Sequence, residues 1–332
     1  MAPWLDRLLQ NTAVLLKNEQ ATALLQNRRG EALAGLERQL QQLQAMAKEP
    51  LALRPSESST SPQWQQWQHL RDHFSLHPSN AAFTEAFHDL ALALWGLDGS
   101  ELASLKHKPL ILHLSCQARL KLALRSVDSF AACQQAGLHV IVVGGASQLG
   151  FRPMAENCWL LELPESDAYE KLHAKLFLGV ALLWLWLRPT RITKLDDDLH
   201  LKDGEMLIRY FQDLEVDSIK YGGRMIQAKH SQLLHGWHLG KCSTAGASLN
   251  NVGYQFPIAK YYAAGGSGYV LADTAIDEIA YAHFAMRGFL DGCEPGIEDG
   301  LVGLLIWLAE LESRDCRAAI LPGLACQPVL MP

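Results

Sequence analysis

The stretch Thr190-Arg191-Ile192-Thr193-Lys194-Leu195-Asp196-Asp197-Asp198 decides the fold. TRITKL, residues 190–195, has the length and composition of a β-strand, and it runs directly into three acids. Upstream, residues 167–187 read as a long helix, and residues 159–163 as another strand. Further back, LHVIVVGG (138–145) is a buried strand closed by a Gly pair, residues 118–135 have helical spacing, and PLILHLS (109–115) is an apolar run of strand length. Strands alternating with helices predict an α/β layer with a mostly parallel sheet. Ligands of such sheets lie beyond the carboxyl ends of the strands, which is where the three aspartates fall.

Three adjacent carboxylates repel one another, and burial is costly unless a cation neutralises them. Side chains leaving a strand alternate, so Asp196 and Asp198 can face one way and Asp197 the other. Hard oxygen ligands suit Mg²⁺ or Mn²⁺, held by one or two carboxylates plus substrate phosphates. A solvated acidic turn or helix cap, followed by Asp203-Gly204-Glu205, is the plainer alternative.

Two later motifs have the same double character. Gly265-Gly266-Ser267-Gly268-Tyr269-Val270-Leu271 is either a tight turn or the wall of a ligand pocket. It is no phosphate loop, because no Lys-Ser/Thr follows the glycines. Glu298-Asp299 precedes the apolar helix of residues 301–311. Acids there cap a helix, and an acid there can also serve as a general base. His230, His235, His238 and Cys242 are spaced unlike any standard zinc finger and read as a loop near an acceptor.

The bulk composition bounds the rest. The 332 residues are 49% hydrophobic, enough for a substantial core, and the net charge of −6 gives no global footprint for nucleic acid. Seven scattered cysteines without a CxxC pair suggest reduced thiols and a cytoplasmic setting. No signal peptide is expected from residues 1–9. The apolar window Leu176–Leu187 is shorter than the roughly 20 residues of a membrane span and reads as a buried helix. Residues 1–105 read as an α-helical region: a hairpin, a Pro- and Ser-rich linker at about 50–63, and further helices. This region suits packing, homo-oligomer contact or peripheral attachment at the inner membrane face. A second domain then spans 106–332.

In order, these pieces resemble the β-1,3-glycosyltransferases typified by galactosyltransferases and Fringe (glycosyltransferase family 31, with the GT-A fold) over roughly residues 109–310. The opening strand with Arg125 downstream looks like that family's first strand and basic helix. Val142-Val143-Gly144-Gly145 takes the place of its second strand. Asp167-x-Tyr169-x-x-Leu172-x-x-Lys175 is similar to its D-x-Y-x-N-L-x-x-K helix, without the Asn. Asp196-Asp197-Asp198 matches its metal motif, YYAAGGSGYVL (261–271) its glycine-rich segment, and Glu298-Asp299 with Gly303 its E-D-V-x-x-G motif.

The resemblance implies a Rossmann-like GT-A domain that moves a hexose or N-acetylhexosamine, with inversion, from a UDP-sugar to a hydroxyl of a glycan or glycolipid acceptor. The linkage formed would be β-1,3. Asp198, with Asp196, would ligate Mn²⁺ or Mg²⁺, and Asp299 would be the base. Ser115, Arg125, Gly144, Lys175, Asp196, Asp197, Gly266 and Glu298 would line the UDP-sugar site, although alternation along the strand makes Asp197 structural. Two features depart from the family: no His follows Asp299 to join the metal, and neither a membrane anchor nor a disulfide framework is visible. The competing readings are a Mg²⁺-dependent nucleotidyl- or phosphotransferase and a non-catalytic binding scaffold. Residues 224–258, with Arg224, Trp237 and Lys241, match nothing assignable and suit an acceptor loop.

Overall fold

A computed structural model describes residues 99–133, 136–227, 241–243, 261–285, 297–309, 311, 313–315 and 324–326. The helical hairpin and linker expected before residue 99, together with His230, His235, Trp237 and His238, lie outside these residues.

The chain is a mixed α/β structure around an eight-stranded sheet. Its first strands are β1 (Leu110–Leu114), β2 (Leu138–Val143), β3 (Gly150–Ala155), β4 (Cys158–Glu162) and β5 (Arg191–Asp196). After β6 (Leu199–Leu201) come β7 (Tyr221–Gly223), β8 (Met225–Gln227), β9 (Tyr261–Ala263), β10 (Tyr269–Ala272), β11 (Ser313–Asp315) and β12 (Leu324–Cys326). The strand order is β11-β7-β10-β5-β1-β2-β4-β3, while β6/β12 and β8/β9 form two small antiparallel pairs. β5, β1, β2 and β4 are mutually parallel, and β10 runs antiparallel between β5 and β7. The sheet is therefore more mixed than the expected, mostly parallel one. β3 is an antiparallel edge on β4, a position that tolerates its Pro153.

β1 and β2 are buried along their whole length, as central strands covered on both faces must be. Alternation sends Leu110, Leu112 and Leu114 into the main core and Ile111 into a second core on the other face. The main core is filled by α3 (Leu172–Leu187), α5 (Asp273–Ala285) and α6 (Glu298–Leu308). On the other face, α2 (Leu120–Ser129) covers Ile141, Val143 and Leu160, and α4 (Gly204–Val216) contributes Leu207, Tyr210, Phe211 and Leu214. Asp203 caps α4 through Met206 N–H at 3.0 Å.

α3, LHAKLFLGVALLWLWL, is apolar on every side from Leu176 onward and correspondingly buried. It ends at Arg188, whose φ of 48° makes a left-handed cap and whose guanidinium lies 3.9 Å above the Trp184 ring. Among the described residues, no helix is long and apolar enough to cross a membrane. The short helix α1 (Gly99–Ala103) and the turn after it bury Leu102 and Leu105 in the main core. Residues 99–105 thus pack against the sheet.

One topological feature positions everything that follows. From β1 the chain crosses to β2 on one side, and after β4 the helix α3 carries it back to β5 on the other side. The strand order thus reverses between β1 and β5, and the crevice outside their carboxyl ends is where such sheets bind ligands. Leu114 pairs with Asp196 at that end, which puts Ser115 and the three aspartates together.

Candidate functional site

The three aspartates have three different environments. Asp197 is buried: Ser115 Oγ donates to its Oδ2 at 2.8 Å, and Arg119 Nη2 lies 2.7 Å from its Oδ1. Burial pushes its carboxyl up to about 6, and Asp196 and Asp198 push the same way, while the Ser115 hydrogen bond and Arg119 pull it down. Asp198 stays partly exposed at 28%, with Arg119 Nη2 3.3 Å away. Asp196 is engaged by Lys194 Nζ at 2.6 Å. Asp197 is thus the buried member of the three, while Asp197 and Asp198, rather than Asp196 and Asp198, share a partner in Arg119.

Lys194 is the hub that sequence reasoning missed. It points out of β5 into the protein, fully buried, with its ammonium 2.6 Å from Asp196 Oδ1 and 2.9 Å from Glu298 Oε1. Burial alone would lower its pKa, but those two carboxylates, and their hydrogen bonds to it, hold it raised and charged. Tyr269, the first residue of β10, donates to the same Glu298 oxygen at 3.1 Å and turns its ring toward Lys194, 5.5 Å away. Glu298, expected at the donor, is therefore a buried partner of Lys194.

Asp299 occupies the first turn of α6 beside this pair. Gly265 N–H donates to its Oδ2 at 2.8 Å, and Gly300 N–H to its Oδ1 at 2.8 Å. Burial pushes the Asp299 carboxyl up to about 7, and the neighbouring Glu298 adds to this; Gly265, Lys194 and Gly300 pull it back. A carboxylate poised near neutrality has the property asked of a general base. Gly265 must be glycine for this packing. A Cβ there would stand 3.1 Å from Lys194 Nζ, 3.2 Å from Glu298 Oε2 and 3.3 Å from Asp299 Oδ2. Gly266, next to it, is exposed, and a Cβ on it would lie 3.7 Å from Asp196 Oδ2. The glycine turn therefore lines the gap between Asp196 and Asp299.

Asp167 and Lys175 do not reach into the crevice but build its rim. Asp167 accepts from Gly144 N–H at 2.6 Å and Gln117 N–H at 2.7 Å, tying together the chain after β2 and the chain after β1. Lys175, wholly buried, donates to Asp167 at 2.9 Å and to the Ser115 carbonyl. Gly144 is buried, and its N–H is committed to that brace. Arg125 is exposed on α2, while Arg119, in the turn Gln117–Arg119 before that helix, is the arginine that meets the aspartates. Lys241, which the sequence places in the expected acceptor loop, has its Nζ 5.6 Å above the Tyr169 ring. Burial, then the charges of Asp299, Glu298 and Asp196, push the Tyr169 hydroxyl up, so this ring stands among the site's acids.

Among the described residues, no group of three or more His, Cys, Asp and Glu side chains is placed to hold a metal ion. Compared with known proteins, the chain matches no family model and no curated sequence.

Proposed function

We propose that the protein is an inverting glycosyltransferase of GT-A type, related to the β-1,3-glycosyltransferases, which takes a hexosyl group from a UDP-sugar. The observation that carries this reading is that the glycine turn joins the two acids, Gly266 beside Asp196 at the end of β5 and Gly265 beside Asp299, a carboxyl raised to about 7. The crevice lies at the point of strand reversal, the usual seat of a nucleotide in an open α/β sheet. The glycine turn at 265–266 lets the backbone pack closely against Lys194, Glu298 and Asp299.

In this reading the acceptor hydroxyl attacks the sugar C1 from the face opposite UDP. The new O–C1 bond forms as the C1–O bond to the diphosphate breaks, and the electron pair leaves with UDP. Asp299 takes the hydroxyl proton, and the Gly265 and Gly300 amides hold its oxygens in place for it. Lys194 stays charged, steadies Asp196, and offsets the charge of Glu298 beside the base.

The donor set fits a divalent cation held by one or two carboxylates and completed by substrate phosphates, and does not fit a cage built by protein alone. Asp198, partly exposed and with a long contact to Arg119 at 3.3 Å, would hold Mn²⁺ or Mg²⁺, with Asp196, whose Oδ1 is engaged by Lys194, second. When bound, such an ion supplies positive charge to the departing UDP. Calorimetry with UDP and Mn²⁺ tests this: Asp198→Ala should bind UDP at least tenfold more weakly than wild type in Mn²⁺. Equal binding would remove Asp198 from the metal site.

A further inference from the structure

We propose that Glu298 is a positioning residue for the base, a carboxylate locked in place so that its charge strengthens Asp299 as a proton acceptor. This rests on the reading of Asp299 as the base, and it gives Glu298 a role other than contact with the donor. The backbone around Asp299 works against basicity. Gly265 N–H and Gly300 N–H each donate to its carboxylate at 2.8 Å, in the first turn of α6. Amide donors and a helix N-terminus favour the anion, which weakens it as an acceptor. Glu298, buried beside it, acts in the opposite sense. Its two oxygens are differently employed. Oε1 meets the Lys194 ammonium at 2.9 Å and the Tyr269 hydroxyl at 3.1 Å. Oε2 stands at Gly265, where a Cβ would lie 3.2 Å from it and 3.3 Å from Asp299 Oδ2. Both contacts on Oε1 favour a carboxylate, so the repulsion between the neighbouring acids falls on Asp299.

Pairing with Lys194 does not by itself account for Glu298. That ammonium already has Asp196 Oδ1 at 2.6 Å, so Glu298 is a second acid on one buried cation. The surplus is felt at the base. After burial, Glu298 is the largest influence raising the Asp299 carboxyl, and it outweighs the pull of Lys194. The other groups around Asp299 are Lys194 and Asp196 of β5, Tyr221 of β7, Tyr262 of β9, Tyr269 of β10, and Tyr169 in the turn before α3. Asp196 is tied to Lys194, and burial pushes all four tyrosine hydroxyls up, so they stay neutral where Asp299 titrates.

NMR of the full chain labelled at its aspartate carboxyls, titrated in EDTA, tests this apart from turnover, with the Asp299 signal assigned by its loss in Asp299→Asn. Glu298→Gln keeps the shape and an acceptor for Tyr269 but loses the charge. In it the Asp299 midpoint should move to lower pH by roughly one unit. Glu298→Asp, which keeps the charge, should move it less. With UDP-sugar and acceptor in Mn²⁺, the acidic limb of kcat/KM should shift the same way in Glu298→Gln, and the rate at pH 8 should fall about threefold because the base is weaker. Should thermal melts show Glu298→Gln unfolded, Lys194→Met/Glu298→Gln removes the pair as a unit and should still lower the midpoint, since Glu298 outweighs Lys194. An Asp299 midpoint that stays in place or rises without Glu298, or a rate lowered equally at every pH, would overturn the proposal. A midpoint that moves as expected, in a protein that turns over no UDP-sugar, would uphold the link between the two acids and overturn the transferase reading.

Discussion

Asp299 has to be ionised to accept a proton, yet its surroundings favour the neutral form. With its carboxyl raised to about 7, the fraction able to act as base rises as pH climbs through neutrality. The account therefore predicts that kcat/KM increases between pH 6 and 8 and levels off above, and that Asp299→Asn lowers kcat by at least 100-fold at pH 8. A pH-rate profile flat across that range, or an active Asp299→Asn, would exclude Asp299 as the base. At this scale the sequence was legible where chemistry follows from position. Asp196–Asp198 end an apolar strand, and Glu298-Asp299 open an apolar helix, so both stood out. Lys194 did not, because a lysine within TRITKL reads as an ordinary exposed strand residue until the fold brings Glu298 to it. Arg125 and Arg119 lie in one basic stretch, and only the turn at Gln117–Arg119 decides which of them faces the acids.

Elements here are held by close contacts that leave little tolerance. α6 crosses β9 at Gly303, where an added Cβ would stand 2.4 Å from Tyr262 Cβ. Gly303→Ala should therefore cost about 1–3 kcal/mol by overpacking, read as a lower urea midpoint, and should reduce activity because α6 carries Asp299. β1 and β2 share a different constraint. His113 and His139 are buried neighbours, with Nε2 of one 2.9 Å from Nδ1 of the other, and Ser126 Oγ on α2 is 3.2 Å from His113 Nδ1. Burial lowers the His139 pKa from 6.5 to about 4, and lowers that of His113 as well, with the neighbouring His139 adding to it. In each case the folded value lies below the unfolded one. The stability they contribute is present above about pH 6.5 and is lost as pH falls toward 4. Urea midpoints between pH 7 and 4.5 should fall more steeply for wild type than for His139→Phe, and parallel curves would contradict this.

At the scale of the molecule, the alternation of elements and the buried runs of β1, β2, β4 and β5 were readable from the sequence. β1 and β2 are buried along their whole length and mostly apolar, and α3 is apolar on every side from Leu176 onward. The antiparallel members were harder to read. β7 is Tyr221-Gly222-Gly223, with two residues that disfavour strands, and β3 carries a proline at the edge. The place of β7 depends on pairing with β10 across a long stretch of chain, which no local pattern encodes, whereas β3 folds back on β4 through a tight turn. The burial of Leu102 and Leu105 was equally hard to read, because a short helix shows too little periodicity to reveal which face it buries. The crevice depends on the whole arrangement, since strand reversal, the glycine turn and the start of α6 must meet for Asp196 and Asp299 to share one cleft. The central claim is most directly tested by UDP release from a panel of UDP-sugars with hydroxyl-bearing glycan acceptors in Mn²⁺. The account predicts acceptor-dependent release from at least one donor, with the anomeric configuration of the transferred sugar inverted by NMR and the rate collapsed in Asp299→Asn. No release from any UDP-sugar by the folded protein, or retention of configuration, would contradict it.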